Sequence, residues 1–93
     1  MAKSPQPANQ PTGSGAASAN RDRELLAFGQ RLYELRVQAG LTQEALADAA
    51  SLHWTYVGQI ERGERNLTYK NVLKLARGLG VKPAELIPDE TAM

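Results

Sequence analysis

The chain has 93 residues, a formal net charge of +1 and no cysteine. That is room for one small domain, and it excludes both a disulfide framework and a thiolate metal site. The apolar runs fall far short of a membrane span, and Met1-Ala2-Lys3 leads into prolines and polar residues instead of a signal peptide's apolar stretch, so a cytoplasmic protein is expected.

Residues 1 to 20 hold three prolines, two glycines and no aromatic or large aliphatic side chain after Met1. Such a stretch buries too little apolar area to offset the entropy of ordering, and a disordered tail is expected. With only Lys3 and Arg21 basic near it, it is poorly suited to act as an arm in a DNA minor groove. Residues 21 to 88 then form the domain, and residues 89 to 93 a short second tail. A core of roughly 65 residues is small enough that a partner subunit is expected to add buried surface.

The first helix is predicted over residues 21 to 39, with Leu25, Phe28, Leu32, Leu35 and Ala39 on one stripe and Gly40 supplying the left-handed stop. Arg36 sits at the edge of that stripe, beside Leu32 and Leu35. Between residues 42 and 62 the apolar spacing gives two short helices and a three-residue joint. Leu46 with Ala45 and Ala49 makes the buried face of the second helix, and Val57 with Ile60 makes that of the third. This is the layout of a helix-turn-helix. On the third helix, His53, Val57, Ile60 and Glu61 fall on one side, while Thr55, Gly58, Gln59 and Arg62 fall opposite and Trp54 leads between them.

One spacing marks four helix starts. An apolar residue just before a cap packs on the fourth helical residue, and the pairs Leu41/Leu46, Leu52/Val57, Leu67/Val72 and Val81/Leu86 flank Thr42, His53, Thr68 and Lys82 in this way. Thr42 and Thr68 are good caps. His53 and Lys82 are poor ones, with Ser51 a substitute for the first and Pro83 and Glu85 assisting the last helix. The fourth helix starts at Thr68, buries Val72, Leu75, Ala76 and Leu79 and stops at Gly80, and a fifth spans residues 83 to 87. The whole is an all-α, five-helix domain.

Net charge does not argue for nucleic acid, but its distribution does. Residues 62 to 77 carry five bases (Arg62, Arg65, Lys70, Lys74, Arg77) and one acid, whereas residues 42 to 61 carry three acids and no base. A local basic rim is enough to hold phosphates, because counterion release depends on the contacts made.

The ordered pieces Leu35-Arg36, Gly40-Leu41-Thr42-Gln43-Glu44, Leu46-Ala47, Tyr56-Val57, Gln59-Ile60-Glu61-Arg62-Gly63 and Leu75-Ala76 together resemble the phage repressor and Cro type of helix-turn-helix domain, the XRE type. The resemblance covers residues 28 to 87. Within that family, the string from Leu52 to Gly58 followed by Ile60-Glu61-Arg62-Gly63-Glu64-Arg65-Asn66 looks most like the small controller proteins of restriction-modification systems. The resemblance implies a dimer with one third helix per subunit in successive major grooves, about 34 Å apart on a near-palindromic operator. It also implies that Arg36 pairs with Glu61, clamping the first helix to the end of the third. Solvated, that pair contributes almost nothing; buried, losing one partner costs roughly 3 to 5 kcal/mol.

The expected base contacts are Trp54, Thr55, Gly58 and Gln59. Gln59 matches the N6 and N7 edge of adenine, Thr55 suits a base or a thymine methyl, Trp54 packs on a methyl or sugar, and Gly58 admits close approach. Phosphate contacts are expected from Gln43 at the start of the second helix, from His53 and Tyr56, and from Arg62, Arg65, Asn66 and Lys70 around the following loop. Each has a plainer reading. Gln59 and Thr55 are ordinary solvated residues, Gln43 a good first-turn residue, Trp54 a rim over Ala50, and Lys74 and Arg77 a solvated face. Leu86 and Ile87 are candidates for the two-fold contact, on the family's precedent, unless both close the monomer core; Leu86 is expected to do so, which leaves Ile87 as the better interface candidate.

Two positions depart from the controller-like pattern. Relatives commonly carry a base where Trp54 stands, so guanine reading there is not transferred, and glycine where Ser51 stands, so the turn carries a strained serine. A lone histidine, no carboxylate cluster and no glycine-rich phosphate loop leave no basis for an enzyme, a metal or a cofactor. The expected partner is double-stranded DNA, with no membrane or small-molecule ligand. An antitoxin or a protein-recruiting module on the same fold is the alternative.

Overall fold

The computed structural model describes residues 15 to 89, with side chains from Arg23 onward. Five helices follow one another: α1 (Gly15–Gln38), α2 (Gln43–Ala50), α3 (Trp54–Glu61), α4 (Tyr69–Leu79) and α5 (Pro83–Leu86). The all-α, five-helix domain expected from the sequence is what forms. The helix α1 starts six residues before the expected Arg21, continuing through Ala16, Ala17 and Ala19, residues with high helix propensity that lie in the stretch assigned to the tail. The earlier part of that tail and residues 90 to 93 lie outside the described residues.

Each start is held as its local chemistry allows. The Thr42 hydroxyl accepts the Ala45 N–H at 3.0 Å, and the Thr68 hydroxyl accepts that of Asn71 at 3.1 Å. His53 caps α3 itself, its Nδ1 accepting the Thr55 N–H at 3.1 Å, so Ser51 is not needed as a substitute. The bond requires an unprotonated Nδ1, which leaves the ring proton of the neutral tautomer on Nε2. Ser51 has a different duty: at φ 58 and ψ 44 it is the left-handed residue that ends α2. At the start of α5, the Glu85 carboxylate accepts the Lys82 N–H at 3.2 Å, and Pro83 follows.

The core is Phe28, Leu32 and Leu35 from α1, Leu46, Ala47 and Ala50 from α2, Val57 and Ile60 from α3, Leu75 and Ala76 from α4, and Leu86. All eight residues of the four predicted apolar pairs lie in this core or pack on it. The buried face of α2 is Leu46, Ala47 and Ala50, and not the expected Ala45, Leu46 and Ala49; Ala49 is exposed. The correction has a steric origin, because α4 crosses α2 closely at Gly78. A Cβ there would lie 3.2 Å from that of Ala50 and 3.1 Å from Leu46 Cδ1, which turns Ala50 inward. Ala39, expected on the α1 stripe, lies beyond the helix end and is exposed.

Two contacts place α3 relative to α1. Gly29 backs onto the end of α3, where a Cβ would stand only 2.5 Å from the Glu61 carbonyl oxygen. The Arg36 to Glu61 pair closes the same seam from the other side of the helix end. Arg31 donates from Nε to the Glu85 carbonyl at 2.8 Å, tying α1 to α5.

Candidate nucleic-acid interface

With Val57, Gly58 and Ile60 buried, the solvent side of α3 is formed mainly by its start. His53, Trp54 and Thr55 are exposed, and Gln59 is half-buried. Trp54 keeps 53% of its surface accessible and stacks on His53, with ring centroids 6.0 Å apart and planes at 23°. It does not fold back over Ala50 into the core.

An open groove of about 600 Å³ runs beside this face, between α3 and the segment that leads into α4, with Thr55, Tyr56, Gln59, Arg65 and Asn66 among its walls. Its floor is tied by hydrogen bonds. The Tyr56 hydroxyl donates to the Asn66 carbonyl at 3.3 Å and accepts from Asn71 Nδ2 at 2.8 Å. The Arg65 guanidinium lies 5.1 Å above the Tyr56 ring and donates from Nη1 to Gln59 Oε1 at 3.0 Å. Tyr56, expected to hold a phosphate, thus has its one proton engaged within the domain and acts first as a strut under the loop. Asn66 stands exposed at the rim, and Lys70 is exposed on the first turn of α4. Arg62 is exposed but paired with Glu64 through bonds of 3.0 and 3.3 Å, which lowers the charge it offers to a phosphate in the free protein.

The inner side of α3 is fixed by a polar cluster. Arg36 grips Glu61 with two bonds, Nε to Oε2 at 2.6 Å and Nη2 to Oε1 at 3.1 Å, and its Nη1 donates to the Leu41 carbonyl at 2.8 Å. The side chains are only 12% and 6% exposed, so this is the buried form of the pair and not the solvated one. The hydrogen bonds to Glu61 carry the Arg36 pKa above a guanidinium's ordinary value, outweighing the opposing effect of burial. Gln43 joins the cluster, its Nε2 donating to Glu61 Oε1 at 3.0 Å. The side chain expected on a phosphate therefore braces the ion pair.

Two expected site residues are placed differently. Gly58 is buried instead of lying on the open face; a Cβ there would meet Arg62 Nη1 at 3.2 Å and Gln43 Oε1 at 3.3 Å. Its missing side chain makes room for those two, and they cover it. Leu86 is fully buried and belongs to the monomer core, whereas Ile87 is 55% exposed and remains available to a second subunit. Sequence reasoning missed Gly29, Asn71 and Arg31. Of these only Gly29 left a signal, as a glycine inside an otherwise strong helix.

Two short helices joined through a left-handed residue, the second with an open polar and aromatic face and its buried side bolted to α1, define a helix-turn-helix module. The helix-turn-helix family model matches residues 32 to 86, more than half of the chain. The chain is 41% identical over 63 residues to the control protein C.BamHI of Bacillus amyloliquefaciens, covering 67% of this chain and 78% of that one. It is 40% identical over 65 residues to the control protein C.SmaI of Serratia marcescens, covering 70% and 75%. Among solved structures, the restriction-modification controller protein C.AhdI from Aeromonas hydrophila superposes with a TM-score of 0.69 at 51% identity, covering 70% of this chain and 98% of that chain. The chain belongs to the XRE-type helix-turn-helix family of transcriptional regulators, and its relatives include controller proteins of restriction-modification systems.

Proposed function

We propose that this protein binds double-stranded DNA sequence-specifically, as a dimer that lays one α3 per subunit into successive major grooves of a near-palindromic operator. The observation that carries the reading is the division of α3 into two faces. One is anchored by Val57, Ile60 and the buried Glu61, and the other leaves Trp54 and Thr55 exposed and Gln59 half-buried beside a groove lined by Arg65 and Asn66, with Lys70 exposed on the first turn of α4. Thr55 and Gln59 are suited to base edges, and Trp54 to a thymine methyl or a sugar. Around them, the exposed Nε2 side of His53, Arg62, Arg65, Asn66, Lys70 and the N-terminus of α2 are suited to phosphates. The likeness to controller proteins supports regulation of transcription, with an inverted repeat near a methyltransferase gene as the place to look for the operator.

The test is a gel-shift titration on that repeat. Thr55→Ala with Gln59→Ala is expected to abolish specific binding while the melting curve stays that of the parent. Affinity should also fall steeply with salt, in proportion to the phosphates contacted. Unchanged binding by the double variant would remove base reading from α3.

A further inference from the structure

The geometry points to Arg65 as a positioning residue that sets the base preference of Gln59, making it a reader of acceptors, guanine or thymine, in place of adenine. The inference rests on the DNA-binding function proposed above and refines one position of it.

A free glutamine amide presents an acceptor and a donor side by side, which matches N6 and N7 of adenine. In this structure the two halves of the Gln59 amide are not equivalent. Arg65 Nη1 lies 3.0 Å from Oε1, and because a guanidinium has only donors, the oxygen must be the atom that faces it. That leaves the Nε2 amino group as the free end. Adenine N7 can also accept from Nε2, but the adjacent N6 amino group then faces a donor or must share an oxygen that already holds a charge-assisted bond on one of its two lone pairs, while guanine N7 and O6, or thymine O4, need only what Nε2 already offers. Cytosine, which shows only a donor in the major groove, is refused on the same ground.

Arg65 is not a loose side chain that happens to touch Gln59. Its guanidinium rests 5.1 Å from the centre of the Tyr56 ring, and the Tyr56 hydroxyl is held by both Asn71 and the Asn66 carbonyl. The chain of contacts from Asn71 through Tyr56 and Arg65 to Gln59 thus connects α4 to a base-facing amide on α3. An arginine serving only as a phosphate anchor has no need of this seat.

The experiment is selection of bound duplexes from a library randomised across the operator, with the parent, Arg65→Met and Gln59→Ala carried in parallel. Arg65→Met keeps the aliphatic stem and removes every donor. The parent should enrich guanine or thymine over adenine by about tenfold at the position whose preference disappears in Gln59→Ala. In Arg65→Met that position should come to accept adenine as well as it accepts guanine or thymine. If Arg65→Met weakens all sequences alike and leaves the ranking unchanged, Arg65 is a phosphate contact only and the inference is overturned. Adenine preferred by the parent would overturn it too. Failure of the parent to enrich any sequence would instead strike the proposed function itself.

Discussion

Arg36 and Glu61 stand 25 residues apart in the chain and meet in a two-bond fork, with Gln43 and the Leu41 carbonyl completing the cluster. The cluster joins α1, the start of α2 and the end of α3, so one carboxylate sets how α3 sits on its scaffold. Removing either charge leaves the other buried without its partner. Glu61→Ala or Arg36→Ala should lower stability by about 3 to 5 kcal/mol, a large share of what a domain this size has, measured by urea denaturation. The pH dependence has a definite sign. Because the folded-state pKa of Arg36 is raised, its contribution is fully present below the unfolded value and is lost only as pH climbs through the folded one, far into the alkaline range. The melting temperature of the parent should therefore show no loss from this pair between neutral and mildly alkaline pH.

Gly29 fixes the same seam by contact alone. A Cβ at this position would press on the carbonyl oxygens of Ile60 and Glu61, and backbone cannot step aside as a side-chain tip can. Gly29→Ala gains up to about 1 kcal/mol of helix propensity yet should be destabilising by roughly 1 to 3 kcal/mol overall. Displacing the end of α3 should weaken DNA binding beyond what the lost stability explains, which a gel shift well below the melting temperature would reveal.

Much of this architecture was readable in advance because it is local. The four apolar pairs, the threonine caps and the glycine stops are signals within six residues of one another, and all eight paired residues are in or against the core. The inward face of α2 was not readable, since Ala45, Ala47, Ala49 and Ala50 differ only in what α4 does at Gly78. The site was readable as a face but not as a network. Spacing placed Thr55 and Gln59 together, yet nothing in it indicated that Tyr56 would spend its proton on Asn66, that Arg65 would take the Gln59 oxygen, or that Gly58 would be roofed by Gln43 and Arg62.

Ser51 is the one residue other than glycine with a positive φ among the described residues. The strain is that of any Cβ in the left-handed region, and no side-chain partner is needed for the turn itself, whose Leu52 N–H reaches back to the Ala47 carbonyl at 2.9 Å. Ser51→Gly should stabilise by up to about 1 kcal/mol, or roughly 4 to 8 °C in melting temperature. A fall in melting temperature on differential scanning calorimetry would show that the serine hydroxyl contributes something the backbone geometry does not.

Gly58 is expected to behave in the opposite way to Gly29. The atoms a Cβ would approach are the far ends of Arg62 and Gln43, which can shift by a few tenths of an ångström, and alanine restores helix propensity worth about 1 kcal/mol. Gly58→Ala should be neutral to stabilising in thermal denaturation. If it destabilises by as much as Gly29→Ala, the two side chains over Gly58 are held as rigidly as backbone.

The proposed subunit contact can be tested apart from folding at Ile87, because its neighbour Leu86 is fully buried while Ile87 itself is 55% exposed. A two-fold interface brings each patch against its own copy, so a charge placed there meets a like charge across the axis. Ile87→Glu should shift the protein from dimer to monomer in sedimentation equilibrium and make operator binding more steeply dependent on protein concentration. The monomer should keep its helical signal, since no core contact is removed. Leu86→Ala is the contrasting variant, expected to cost about 2 to 5 kcal/mol of folding stability through the cavity it leaves. If the parent sediments as a dimer and Ile87→Glu does so too, the subunits meet through another surface, and the open apolar side chains Leu26, Tyr33 and Val37 along α1 become the next to substitute; a parent that sediments as a monomer overturns the proposed dimer.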